Sequence, residues 1–212
     1  MSEGPPWPSQ WSCLRADLDR YLELTPGYPH HSFLRKVKVA LAEESFGIIA
    51  WYRFGRWLTI ECRVPVLRSL LLVVYTLGFR LLRLWFGISL SRTSDVGPGL
   101  YFGHWGGVWI NPGVTMGHHV TISQGVTIGV GGTGALAGVP RIGNHVFIAP
   151  HAVLAGKITI GDGSTIGANS TIIMSVPDGA SVIGVPGRVF ARGANAVAEK
   201  ATSASPPGPS HG

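Results

Sequence analysis

The sequence predicts a mainly β protein, a left-handed parallel β-helix of six-residue repeats preceded by an α-helical N-terminal region. Three observations carry that expectation. From Ile110 to Thr133, and again from Ile142 to Pro177, a bulky aliphatic residue recurs at every sixth position. Glycine supplies 30 of the 212 residues and charged residues only 13%, a balance suited to a coil with many corners. Between residues 11 and 90 the apolar spacing is instead that of helices.

The repeat reads IN-PGVT, MG-HHVT, IS-QGVT, IG-VGGT, then IG-NHVF, IA-PHAV, LA-GKIT, IG-DGST, IG-ANST, II-MSVP. Its leaders are Ile110, Met116, Ile122, Ile128, Ile142, Ile148, Leu154, Ile160, Ile166 and Ile172, and a second apolar or small residue usually follows four places later. Six extended residues rise about 20 Å, the length of one side of a triangular coil. No such unit buries its apolar face alone, so stacking of 18-residue coils is expected, four to five of them. Two places break the period. The step from Ile128 to Ile142 is 14 residues, read as two units with two residues over, so that GGTGALAGVPR leaves the coil as a loop. The step from Phe102 to Ile110 is eight, and His104 lies inside it.

Upstream, Leu14, Leu18, Tyr21 and Leu22 share a helical face, and TPGYP ends that helix. A second helix is expected from Ser32 through AWYRFGRWL, with an interruption near Gly47. The stretch 66–84 is the most apolar in the chain. Its uninterrupted run, Ser69 to Phe79, is short of the ~20 residues of a membrane span, and Arg68, Arg80 and Arg83 gather on one side of it. This segment is expected to pack on the β-helix or another subunit, or to lie on a membrane surface. Residues 1–10 and 193–212 read as disordered tails, leaving a helical region over 11–90 and a β-helix over 91–192.

Charge is uneven. Up to Asp95 there are 12 Lys and Arg against 8 Asp and Glu, and beyond it 5 against 3. No basic stripe interleaved with aromatics accompanies this, so no nucleic-acid partner is expected. Attraction to an anionic membrane surface or an anionic cofactor fits better. Cys13 and Cys62 form no disulfide framework or CxxC pair, and the opening residues have no signal-peptide pattern. A cytoplasmic protein, with membrane association as an option, is the expectation.

The run GPGLYFGHWGGVWINPGVTMGHHVTISQGVTIG, with the later IGVPGR, resembles the serine O-acetyltransferases and their hexapeptide-repeat relatives, and AWYRFGRWL is similar to the segment before that family's β-helix. The resemblance implies an acetyl-CoA-dependent O-acetyltransferase that works as a homotrimer or a dimer of trimers, with CoA sites between subunits. It implies His104 as the catalytic base. Gly131 and Gly132, within the glycine-rich loop 129–134, would bind the cofactor. So would the backbone at Pro150 and Ala168 along the pantetheine groove, and the terminal turn from Gly184 to Arg188, with Arg188 near the CoA phosphates.

The chain departs from the family at the acceptor. The family's dyad aspartate is replaced by Ser89, the aspartate directly before the histidine by Gly103, and an Arg-His pair by Gly138-Val139. Free serine is a zwitterion whose recognition calls for charged partners. A neutral hydroxyl acceptor, a sugar or glycan precursor, is therefore expected ahead of L-serine. Acyl transfer from a thioester to an alcohol needs a base for the hydroxyl proton, and imidazole takes up protons near neutral pH. Ser89, Asp95 or a backbone carbonyl would then orient the ring. Two other readings stand beside this one. His118, His119, His145 and His151 invite comparison with zinc β-helix carbonic anhydrases. However, the paired histidines of those enzymes lie five apart, whereas His145 and His151 are six apart, on adjacent sides facing different ways, so the four read as residues of exposed coil corners and no metal is expected. The other is a non-enzymatic one, in which the β-helix serves only as a scaffold or trimerisation module.

Overall fold

The computed structural model describes residues 7–24, 33–104, 106–134 and 137–190. The expected tails, apart from residues 7–10, lie outside the described residues, as do the last two residues of the expected β-helix, 191–192. Among the described residues four helices come first: α1 (Gln10–Leu24), α2 (Phe33–Ala42), α3 (Glu44–Ile60) and α4 (Pro65–Phe86). The interruption expected near Gly47 falls at Glu43 instead, whose φ of −91° and ψ of 98° are extended. There the amide of Glu43 still bonds the Val39 carbonyl while its own carbonyl accepts the Phe46 amide. The chain thus turns with both helix ends satisfied, and Gly47 stays inside α3.

Fifteen short strands follow: β1 (Ser89–Leu90), β2 (Asp95–Val96), β3 (Tyr101–Phe102), β4 (Trp109–Ile110), β5 (Thr115–Met116), β6 (Thr121–Ile122), β7 (Thr127–Gly129), β8 (Arg141–Ile142), β9 (Phe147–Ile148), β10 (Val153–Ala155), β11 (Thr159–Ile160), β12 (Thr165–Ile166), β13 (Thr171–Ile172), β14 (Ser181–Ile183) and β15 (Arg188–Phe190). They stack in parallel into three faces. Face I is β1-β4-β7-β10-β13, face II is β2-β5-β8-β11, and face III is β3-β6-β9-β12-β14, closed by the antiparallel β15. An isolated parallel bridge from Ile160 to Val176 completes face II of the last coil. This is a left-handed β-helix of five coils.

Packing follows the period. All ten leaders are at most 5% exposed, and Leu90, Val96 and Phe102 extend their columns into the first coil. Each strand of the three parallel faces pairs a half-covered or exposed residue with a buried one, as alternation across a strand demands, whereas the antiparallel β15 is exposed throughout. Corner glycines let the coils approach. A β-carbon on Gly97 would lie 2.7 Å from the carbonyl carbon of Gly117, and one on Gly117 2.8 Å from that of Gly143. The excursion before β8 is larger than the sequence suggests. Strands β7 and β8 flank a single corner, so the step from Ile128 to Ile142 exceeds an ordinary six by eight residues, not two.

A solenoid's first coil exposes backbone groups that no preceding coil can pair. Here side chains of the helices pair them. Tyr52 donates to the Ser94 carbonyl at 2.9 Å, and Arg53 to the carbonyls of Val96 at 2.8 Å and Gly97 at 2.7 Å. The Leu100 amide donates to Asp17 at 2.8 Å and the Phe102 amide to the Tyr21 hydroxyl at 3.2 Å. Ser45 donates to the Phe102 carbonyl at 3.3 Å. Arg53 and Asp17 are themselves paired by two hydrogen bonds of 2.8 and 3.1 Å, with side chains 1% and 0% exposed.

Helix α4 differs from the other three. Its packing partner is α3: the buried Tyr75 ring seats over Gly55, and Trp51 stacks on Tyr75 at 5.8 Å and lies over Gly78. Of its 22 residues Tyr75 alone is buried, while Leu70, Leu77, Leu81, Leu84 and Trp85 are more than half exposed. By length and composition the helix is long and apolar enough to cross a membrane, because it continues through the arginines that bounded the shorter run read from sequence.

The Asp17→Ala variant is expected to lose about 3–5 kcal/mol, since it leaves a buried guanidinium without its carboxylate. Removing Glu23 from its surface pair with Arg20 should cost less than about 1 kcal/mol. Equilibrium urea unfolding of both variants checks this, and similar losses would mean that the buried pair does not secure the first coil.

Candidate functional site

The corner that joins face III to face I holds four residues between β6 and β7 and six between β3 and β4. The extra two are accommodated as a bulge. The Gly103 amide still bonds the Ile122 carbonyl, the chain then leaves the stack, and pairing resumes with the Gly125 amide on the Gly106 carbonyl. Positive φ at Gly106 (110°) and Gly107 (67°) brings the chain back. His104 rides on this bulge, exposed. Among the described residues its ring has no hydrogen-bond partner.

Stacking places further residues on this same III/I edge, coil by coil. They are Ser123 and Gln124, Pro150 and His151, Ala168 and Asn169, and Gly184 and Val185. The register is fixed by amides of one coil bonding carbonyls of the last, His151 to Gln124 at 3.0 Å and Asn169 to Pro150 at 2.9 Å. Thus His104, Pro150, Ala168 and Gly184, picked out far apart in sequence, form one line. Arg188, at the start of β15, is exposed and opposite Ile183. No described residue of these corners carries a formal charge. Gln124 was not singled out from the sequence. Its amide oxygen is buried and, among the described residues, has no partner, an acceptor held beside the His104 bulge.

Gly131 and Gly132 lie elsewhere, on the edge between faces I and II. The loop leaving that edge is closed at its base by a Gly131–Gly138 bridge with two 3.1 Å hydrogen bonds. Beside it is a cleft of about 400 Å³ lined by Gly131, Gly132, Ala155, Gly156, Lys157, Ile158 and Ile173. A β-carbon at Gly131 would meet the Gly156 amide nitrogen at 2.7 Å, so the glycine sits where no side chain fits. Lys157 supplies a cation here that sequence reasoning missed; its one signal was being the lone lysine of the repeats. A shallow hollow of about 280 Å³ over face I, lined in part by Ser89, Trp109 and Thr127, lies between the two edges.

Of the groups expected to orient His104, Asp95 is ruled out. Its carboxylate accepts from Arg56 and it sits on face II, away from the III/I edge. Ser89 lies on face I, paired with Trp109. Gly103 and Gly138 offer only backbone.

The four histidines separate into two groups. His151 is on the III/I edge, its ring against Gly125. His118, His119 and His145 share the II/III edge, where the His145 amide bonds the His118 carbonyl at 2.8 Å. All four sit at coil corners, as expected; what the eight-residue excess hides in the sequence is that His119 and His145 belong to successive coils. Burial first, then His145 and His118, push the His119 imidazole below its usual range.

A family model described as bacterial transferase hexapeptide (six repeats) matches residues 140–173. Among solved structures, the serine acetyltransferase of Neisseria gonorrhoeae is 25% identical, with a TM-score of 0.70 over 86% of this chain and 68% of that one. Soybean serine acetyltransferase complexed with serine is 26% identical, with a TM-score of 0.70 over 86% and 70%. The chain carries hexapeptide repeats, and its likeness to these structures supports an acyltransferase. A serine acetyltransferase solved in complex with CoA shares this fold at 24% identity, with a TM-score of 0.66 over 86% and 70%. No curated protein sequence matches it.

Proposed function

We propose that this acyltransferase moves acetyl from acetyl-CoA to a hydroxyl of a neutral sugar or glycan precursor, with His104 as the base, at sites shared between neighbouring subunits of a trimer. The observation that carries the proposal is the division of the site residues over two prism edges. His104, Pro150, Ala168 and Gly184 line one edge, while the glycine loop and Lys157 occupy the next, across a side of about 20 Å. One protomer does not close a pocket from both, but the III/I edge of one and the I/II edge of a neighbour would do so. The cleft beside Gly131 suits CoA: a glycine floor allows close backbone approach and Lys157 is a cation for its phosphates, while Arg188, on β15 opposite Ile183, would supply a second cation from the other edge.

In the reaction the acceptor oxygen attacks the thioester carbonyl carbon as its proton passes to the His104 imidazole. The tetrahedral intermediate then collapses, the carbon–sulfur bond breaks, and the thiolate of CoA leaves and takes a proton. Exposure of His104 on its bulge supports this role, since the base must meet the acceptor. The uncharged surroundings support a polyol, for which Gln124, Ser123 and Asn169 offer neutral hydrogen-bonding groups. The second reading, L-serine as acceptor, is favoured by the likeness to serine acetyltransferases, one of them complexed with serine.

Helix α4 supports a contact with an anionic membrane surface. Residues 62–94 contain Arg63, Arg68, Arg80, Arg83 and Arg92 and no acidic residue. Its exposed face carries Leu77, Leu81, Leu84 and Trp85. The Tyr75–Gly55 and Trp51–Gly78 contacts hold it along α3, which favours lying in the interface over spanning.

His104→Ala should lower turnover roughly 10²- to 10⁴-fold, the usual worth of a general base, while CoA affinity changes little. Near wild-type turnover would end the assignment. The acceptor is tested by thiol release from acetyl-CoA with L-serine and with a panel of sugars and nucleotide sugars. Each missing charge-assisted contact costs about 1.5–3 kcal/mol, so kcat/KM for serine should fall well below ~10⁴ M⁻¹s⁻¹. Efficient serine acetylation would reverse the preference. For α4, flotation with phosphatidylglycerol vesicles should carry the protein upward at low salt and fail for Leu77→Glu/Leu81→Glu. Equal flotation of both would refute the contact.

A further inference from the structure

We infer that His118, His119 and His145 form a binding site for a divalent transition-metal ion of the zinc or cobalt kind, held by three imidazole nitrogens with one position open to solvent. The site is on the II/III edge, apart from the acyl-transfer residues, and does not rest on the proposed function.

The backbone at this edge is the first observation. Five coils present the same turn, at Gly99, His119, His145, Gly163 and Gly179, with φ of 79°, 56°, 54°, 65° and 66°. Glycine accepts this conformation freely, and a side chain does so with strain. Three coils use glycine. The two that carry a histidine are adjacent, so their side chains meet.

The rings converge. His119 and His145 stack at 5.0 Å and 14°, and His118 meets His145 edge-on at 4.7 Å. The Nδ1 atoms of His118 and His119 are 3.1 Å apart, and one nitrogen from each of the three rings lies within 4.8 Å of the others. Zinc–nitrogen bonds of about 2.0–2.1 Å in a tetrahedron put ligand nitrogens about 3.3 Å apart. The first pair already has that spacing. The third ring, on the exposed His145, closes the rest by a side-chain adjustment. Imidazole donors alone select zinc, cobalt, nickel or copper over magnesium and calcium.

The neighbours suit a cation. The Asp162 carboxylate, one coil further, is fixed by the Asn144 amide at 2.7 Å and the Asn144 side chain at 2.9 Å, and these bonds first, with His118 and His145 adding to them, hold its carboxyl below the usual range. Asn144 in turn accepts the His118 amide at 3.0 Å, anchoring that ligand's backbone. From α1, Arg20 and Glu23 face His119, paired with one another at 3.2 Å. Among the described residues no lysine or arginine stands unpaired at the cluster.

The test uses the full chain, stripped with EDTA and titrated with Co²⁺ while the visible d–d absorption is recorded. One Co²⁺ per chain is expected, with an intense band of tetrahedral type. His119→Asn and His145→Asn keep the turn, since Asn169 holds a φ of 55° at the other edge. Each should weaken binding roughly tenfold or more, and the double variant should abolish it. His118→Ala, at a position with no positive φ, should also weaken it and makes no demand on the turn. His104→Ala should bind as wild type does. Absence of Co²⁺ binding below about 1 mM, or unchanged binding in the double variant, would overturn the site. The readout is optical, so it stands whether or not the acetyl-transfer reading holds.

Discussion

A nearly unexposed ion pair, Arg53 with Asp17, joins α3 to α1 and reaches the first coil through the Val96 and Gly97 carbonyls and the Leu100 amide. A stack of parallel coils has no natural beginning. Each coil satisfies its backbone by leaning on the one before, and the first has nothing to lean on. The two charges and three hydroxyl side chains, Tyr21, Ser45 and Tyr52, take the place of a preceding coil. Taking a charge out of water is costly, so the pair endures because all three guanidinium nitrogens and both carboxylate oxygens have partners. Burial pushes the Asp17 carboxyl up, against the pull of Arg53, a sign of how dry the junction is. The far end needs less, since β15 folds back antiparallel on β14.

With the ends closed, the interior fixes what may vary. Leaders and their partners four residues on are locked into columns, and the outward residue of each strand is constrained by its ladder. Only corners are free to change length or carry unusual groups. The III/I edge uses that freedom for a two-residue bulge bearing His104, and the I/II edge for a glycine loop with Lys157 beside it. The proposed site calls for a neighbouring subunit, because one chain divides the base and the cofactor cleft between two edges of its prism.

Much of this was legible in the sequence, for a definite physical reason. A six-residue period maps onto one side of a coil, so the columns of leaders within each unbroken run follow from counting, whereas His104, Pro150, Ala168 and Gly184 were singled out by resemblance to a family. Counting fails where the chain leaves the stack. The loop before Arg141 adds eight residues at one corner; read as two units with a remainder, it concealed the neighbourhood of His119 and His145. Gln124 was illegible because an unpartnered amide is a property of packing, not of pattern. Glu43 replaced Gly47 as the helix break because hydrogen bonds across it survive the turn, a matter that glycine propensity does not address.

The three edges therefore differ in chemistry while sharing one backbone. On the II/III edge, Asn144, Asp162 and Asp178 form a ladder in which each side chain accepts an amide of the preceding coil. Such a ladder neutralises corner amides with short acceptors, and it makes that edge the acidic one. Histidines set into the same ladder are then near a negative carboxylate and stacked by the coil spacing. The III/I edge has no carboxylate at its described corners, so His104 there faces neutral groups. A base for an uncharged hydroxyl and a cluster of nitrogen donors arise from the same residue type, set apart by which corner of the coil carries it.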